Sequence, residues 1–182
     1  MRRLFRLLAA GLAAGLLVGC GGPDFRPPAD APEAWQKAMR KEASGGWVVW
    51  GYGTGAASES LAAGRSRAAA SARSDLADGV DTRLVDLREG LIERLVDEAN
   101  KELEKTDIQA VVKRAGEIAV NRAGIARRER DTEGTWHVLA RAQLRPALSE
   151  AAEERGLSST SEERLMAEAD AILRGDKEGE ED

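Results

Sequence analysis

Apolar positions along this chain recur with two different periods, and the places where the period changes divide it into elements. Trp35 and Met39 lie on one side of a helix expected over 33–43, and Ser44-Gly45-Gly46 breaks it. The next run, Trp47-Val48-Val49-Trp50-Gly51-Tyr52-Gly53, is aromatic and β-branched and predicts a strand. Ser58 is the expected N-cap of an alanine-rich helix reaching about Ala77, with Ala62, Ala69, Ala72 and Leu76 on one face. Side chains that small let a helix lie close on a sheet. Gly79 is expected to end this helix, and the alternation of Val80, Thr82 and Leu84 predicts a second strand over 80–87. Helical spacing returns with Leu91, Ile92, Leu95, Val96, Ala99 and Leu103, giving a helix over 88–105.

Thr106 with Gln109 has the form of a capping box for a further helix, with Ile108, Val111, Val112, Ala115, Ile118 and Ala119 inward and Gly124 at its close. A charged strand over 125–130, a turn at Asp131-Thr132-Glu133-Gly134 and a strand with Trp136, Val138, Ala140, Ala142 and Leu144 on one face make a hairpin, the strongest β signal in the chain. Residues 147–174 read as helix rich in Glu, Ala and Arg, interrupted near 156–161. The sum is an α+β fold: a small, mainly antiparallel sheet of about four strands covered by helices, with a C-terminal helical extension over 146–175 and an acidic tail, expected to be disordered, over 176–182.

The N-terminus follows another logic. Arg2, Arg3 and Arg6 precede the uncharged run Leu7 to Gly19, the form of a secretory signal peptide. That run is shorter than the roughly 20 residues a membrane-spanning helix needs. It ends in Leu17-Val18-Gly19-Cys20, which resembles the lipobox of bacterial lipoproteins. The resemblance implies a diacylglyceryl group on the Cys20 thiol, cleavage before Cys20 by signal peptidase II, and acylation of the new amine. Two or three acyl chains anchor stably where one does not. Gly21 stands where an aspartate would retain such a protein in the inner membrane of enteric-type bacteria, so the resemblance implies outer-membrane lipid as partner, with the domain on the periplasmic face. Residues 20–32, rich in Gly and Pro, then read as a flexible tether.

Cleavage changes the charge balance. Loss of residues 1–19 takes 182 residues to 163, and with three arginines gone the formal net charge moves from −5 to −8. An acidic mature chain argues against nucleic acid as a partner. Cys20 is the only cysteine, so once acylated it leaves none for a disulfide.

The order strand, alanine-rich helix, strand, helices, hairpin behind a lipobox resembles the Lpp-twenty family of outer-membrane lipoproteins. The residues that carry it are Pro32, Glu33, Ala34 and Trp35; the strand end Trp50-Gly51-Tyr52-Gly53-Thr54-Gly55; Ala72, Arg73, Leu76 and Ala77; and Asp131, Gly134, Trp136, Val138 and Leu139. The resemblance covers roughly 32–145, so a family-like domain is expected over 33–145. The charged segment 88–106 and the extension after 145 depart from the family pattern. Some members are flagellar lipoproteins that build rings or disks beneath the outer membrane. The resemblance thus implies a structural role, with homo-oligomers and association with a flagellum among the expectations.

Candidate chemistry is sparse. Gly51-x-Gly53-x-x-Ala56 fits a loose dinucleotide-binding fingerprint, but Asp75 and Asp78 fall in a helix rather than at the end of a second strand, and glycines also permit close backbone approach. His137, the only histidine, sits opposite the core set of its strand beside Leu139, Arg141 and Gln143, and reads as an exposed strand residue rather than a catalytic base; no histidine-cluster metal site can form. If Trp47 points inward, Val48, Trp50 and Tyr52 form an outward row, either a partner surface or a face covered by a helix. The expected function is a non-enzymatic structural or assembly lipoprotein of the cell envelope without cofactor or metal. The alternative is a periplasmic binding module for a small ligand or a cell-wall component.

Overall fold

The structure, a computed structural model, describes residues 26–56, 60–96 and 103–175. The fold is α+β, with helix α1 (Glu33–Ala43), strand β1 (Val48–Gly55), helices α2 (Leu61–Leu95) and α3 (Lys105–Asn121), strands β2 (Gly124–Arg130) and β3 (Trp136–Gln143), and helices α4 (Leu144–Arg155) and α5 (Ser159–Arg174). Among the described residues the sheet has three strands rather than four, all antiparallel, in the order β1-β3-β2.

The missing strand is the expected one over 80–87. Those residues lie in the middle of α2, a single helix of 35 residues. Its buried positions, Leu76, Val80, Leu84, Leu87, Leu91 and Leu95, repeat every three or four residues straight through the segment. Thr82, read as a strand position, is exposed and its hydroxyl donates to the Asp78 carbonyl one turn back. Gly79 does not end the helix. It costs about 1 kcal/mol of helix propensity relative to alanine, and a Cβ there would stand 3.1 Å from Val49 Cγ1, so its smallness keeps α2 close to β1. The expected helix 88–105 is in its first part the continuation of α2 to Leu95. Ser58 lies outside the described residues, and the observed N-cap is Ser60, whose side chain accepts from the Ala63 N–H. The Thr106–Gln109 capping box does not form: α3 starts after Glu104, and the Thr106 hydroxyl donates to that carboxylate.

Two cores flank the sheet. β1 alternates as a strand must: Val49, Gly51, Gly53 and Gly55 face α2, while Val48, Trp50 and Tyr52 face α1. The larger core holds Val49 with Val138, Ala140 and Ala142 of β3 against α2, α3, α4 and α5. The segment after 145 belongs to it, because Leu148, Leu165 and Leu173 are each at most 1% exposed. The smaller core, on the opposite face, packs Ala31, Trp35 and Met39 onto Trp50, Tyr52 and Leu139.

The β1–α2 contact is a backbone-to-backbone approach. Alanine at Gly51 would drive its Cβ into the Ala72 carbonyl and the Leu76 amide, and at Gly53 into the Ala68 carbonyl and the Ala72 amide. The helix answers with Gly64, Ala68, Ala72 and Leu76 at four-residue intervals, all buried. Of the small-residue stripe expected from the sequence, Ala72 and Leu76 are buried at this contact, whereas Ala62 is exposed and Ala69 only partly buried, with Gly64 and Ala68 in their place. The hairpin forms as expected, and Gly134 (φ 90°) supplies the left-handed residue its turn requires. α4 closes on Gly156 (φ 78°) in the same conformation.

Candidate functional site

Cys20, with Leu17, Val18 and Gly19, lies outside the described residues, as do the segment expected to be a signal peptide, the first part of the expected tether and the acidic tail 176–182. Among the described residues, no helix is both long and apolar enough to cross a membrane and no group of three His, Cys, Asp or Glu is placed to hold a metal ion.

The row Val48, Trp50 and Tyr52 is not an open partner surface. Trp50 and Tyr52 are buried, and the chain's own α1 covers them because Trp35 and Met39 need an apolar floor. Arg141 fastens this layer, with its guanidinium 5.6 Å from the centre of the Trp50 ring and paired at 2.9 Å with Glu42 of α1. Trp47 does point inward, packing against the larger core with its Nε1 donating to Asp170 at 2.5 Å. Gly51 and Gly53 are committed to α2, which leaves no space between them and the helix for a pyrophosphate; the fingerprint is a packing device.

His137 is the main surprise of this face. Its side chain is 13% exposed rather than solvated, and both ring nitrogens have partners: Nδ1 the Tyr52 hydroxyl at 2.6 Å, Nε2 the Asp131 Oδ2 at 3.1 Å. Asp131 uses its other oxygen to accept from the Thr135 N–H at 2.7 Å, so one carboxylate closes the hairpin turn and orients the imidazole. The Tyr52 hydroxyl also lies 3.0 Å from the Asp30 carbonyl, just before α1. A tyrosine carries one donor proton and a neutral imidazole one. Nε2–H can donate to Asp131 while Nδ1 accepts the Tyr52 O–H, or the Tyr52 O–H turns to the Asp30 carbonyl. The cluster is a clamp between the hairpin, β1 and the residues leading into α1. Burial, with the Asp30 and Asp131 carboxylates adding to it, pushes the Tyr52 phenol far above its ordinary range.

Two aspartates near this strand titrate in opposite senses. The hydrogen bond from His137 holds the Asp131 carboxyl below the usual range, helped by the backbone of the turn. Burial raises Asp75, opposed by the Tyr52 N–H that it accepts at 2.8 Å along the free edge of β1. A depressed folded-state value contributes stability that is present above the unfolded value near 3.9 and is lost as pH falls through the folded one. Asp131→Asn is therefore expected to lower stability at neutral pH and to flatten the acid limb of a urea-midpoint curve from pH 7 to pH 2. Asp75→Asn acts on the opposite slope, removing a loss of stability that sets in above pH 4. Parallel curves for wild type and Asp131→Asn would show that the contact has no part in acid stability.

An open groove of about 780 Å³ lies elsewhere, between α2 and α3. Val80, Leu84 and Val112 form its floor, Val85 and Val120 are 36% and 38% exposed in it, and Asp81, Arg88, Lys113 and Glu117 line its sides. The sequence reading missed it by ending the helix at Gly79; uninterrupted helical spacing from Leu76 to Leu95 was the signal that would have revealed one face running past α3. Arg114 pairs within its own chain, with Glu117 at 3.0 Å and with Glu154 of α4 at 2.6 Å.

No protein-family model matches the chain, and no curated protein matches it either.

Proposed function

We propose that this chain is a lipid-anchored protein of the bacterial cell envelope, held in the outer membrane by acyl groups on Cys20, that acts as a non-enzymatic structural or assembly component. The observation that carries the reading is the positioned Leu17-Val18-Gly19-Cys20 at the end of a charged-then-apolar leader. Its spacing from the folded body supports it: Ala31 is buried in the smaller core, and residues 21–30 separate it from Cys20. Ten residues reach at most about 35 Å when fully extended, so an anchored domain would work close against the bilayer. The likeness to the Lpp-twenty lipoproteins, some of which assemble into rings or disks, points the same way and extends to association with a flagellum. The test of the anchor is incorporation of labelled palmitate, expected in the wild type and lost in Cys20→Ser; a Cys20→Ser protein that stays as firmly bound to membranes as wild type overturns the anchor.

A second reading, a periplasmic binding module for a small ligand or a cell-wall component, is favoured by the groove of about 780 Å³ between α2 and α3. Titration of the purified full chain with cell-wall fragments, followed by changes at Val85 and Val120, tests it.

A further inference from the structure

We propose that the α2–α3 groove is where two copies of this chain meet, face to face about a two-fold axis running perpendicular to the helices, so that α2 lies antiparallel on α2 and α3 on α3. The proposal rests on the assembly reading above and names its surface. Asp81, Val85 and Arg88 stand at i, i+4 and i+7 of α2 and therefore share the face that lines the groove. Asp81 and Arg88 are placed symmetrically about the point between Leu84 and Val85. An axis through that point brings Asp81 of each copy opposite Arg88 of the other. On α3, Lys113 and Glu117 are one turn apart and symmetric about Ala115.

The same axis serves both helices because they are in register at this level: a Cβ on Gly116 would stand 2.6 Å from Leu84 Cδ1. Lys113 of each copy then meets Glu117 of the other. One operation satisfies both rims, and a two-fold interface requires this kind of self-complementarity. Turning the second copy about an axis parallel to the helices would instead set α2 over α3, with Arg88 opposite Lys113, charge of one sign on itself. The apolar strip between the rims supplies the reason to associate. Val85 and Val120, half of the four exposed large hydrophobic residues among those described, lie in this groove and leave water together.

The interface is tested on the full-length protein in its own membranes. Val85→Cys puts a thiol beside the axis, where mild oxidation is expected to give a disulfide-linked dimer. Leu61→Cys, 59% exposed at the far end of α2, gives none. Asp81→Arg, a surface change, is expected to cut the Val85→Cys dimer about tenfold or more through like-charge contact. Adding Arg88→Asp to Asp81→Arg restores it, a rescue that a folding defect does not produce. Monomer under every amine and thiol cross-linker overturns both the interface and the assembly reading. Higher species with amine cross-linkers but no Val85→Cys disulfide overturn this interface and leave assembly standing. A disulfide insensitive to charge reversal overturns the two-fold register.

Discussion

Gly53→Ala is expected to lower the stability of this domain by about 3 kcal/mol or more, the upper end of what overpacking usually costs. The added methyl meets not a side chain that can turn away but the Ala68 carbonyl and the Ala72 amide of α2, so relief requires moving a helix along a strand. The movement is resisted at Gly51 and Gly55, where the strand is equally tight against Ala72, Leu76 and Gly64. Gly45→Ala is the matching control. No atom lies within 4 Å of a Cβ there, and removing a glycine from the unfolded ensemble stabilises by up to about 1 kcal/mol. Urea melts of the two variants should separate them clearly. Equal midpoints would mean that β1 and α2 are not in backbone contact.

Ending the chain after Pro146 is expected to abolish cooperative folding altogether. The removed segment carries Leu148, Leu165 and Leu173 and the buried alanines Ala147, Ala151, Ala152 and Ala169, all in the core that α2 and α3 share. Truncating one buried leucine to alanine costs roughly 2–5 kcal/mol, and a whole domain is stable by only roughly 5–15 kcal/mol. Loss of three leucines leaves too little. The shortened protein should melt without a sigmoidal transition by circular dichroism; a cooperative melt near the wild-type midpoint would make α4 and α5 an appendage instead.

What the sequence disclosed follows from how local each feature is. The β2–β3 hairpin was legible because its alternation, turn and partner strand all fall within about twenty residues. α1 and the break at Gly156 were legible for the same reason. The strand expected at 80–87 failed because Val80 and Leu84 fit a two-residue period and a four-residue one equally well over so short a window, and Gly79 tipped the choice towards a stop. Only the longer series through Leu87, Leu91 and Leu95 separates the two. The alanine stripe was placed on the correct helix and correctly at Ala72 and Leu76, but Ala62 and Ala69 were read where Gly64 and Ala68 make the contact, since alanines stand side by side over 68–70 and the contact is set by glycines across on β1. The clamp at His137 was illegible for another reason: its members come from positions 30, 52, 131 and 137, and nothing near His137 in the chain announces Tyr52. The groove was hidden by the same early end given to α2.

If the chain is anchored at Cys20 as proposed, the position of α1 has a mechanical consequence. Tension applied through the membrane would enter the domain at Asp30 and Ala31 and reach the Tyr52 hydroxyl and the Trp35 and Met39 contacts before anything else. That smaller core is separate from the one built on α2, and β1 behind it is held along its length by β3 on one edge and by α2 on its face. Under such load α1 is expected to yield first, as a fuse does. Its release pays out residues 31–47, about 55 Å of chain at full extension, and the helical body carrying the α2–α3 groove stays folded. A pulling experiment from the N-terminus would read this as one short early extension ahead of the main rupture.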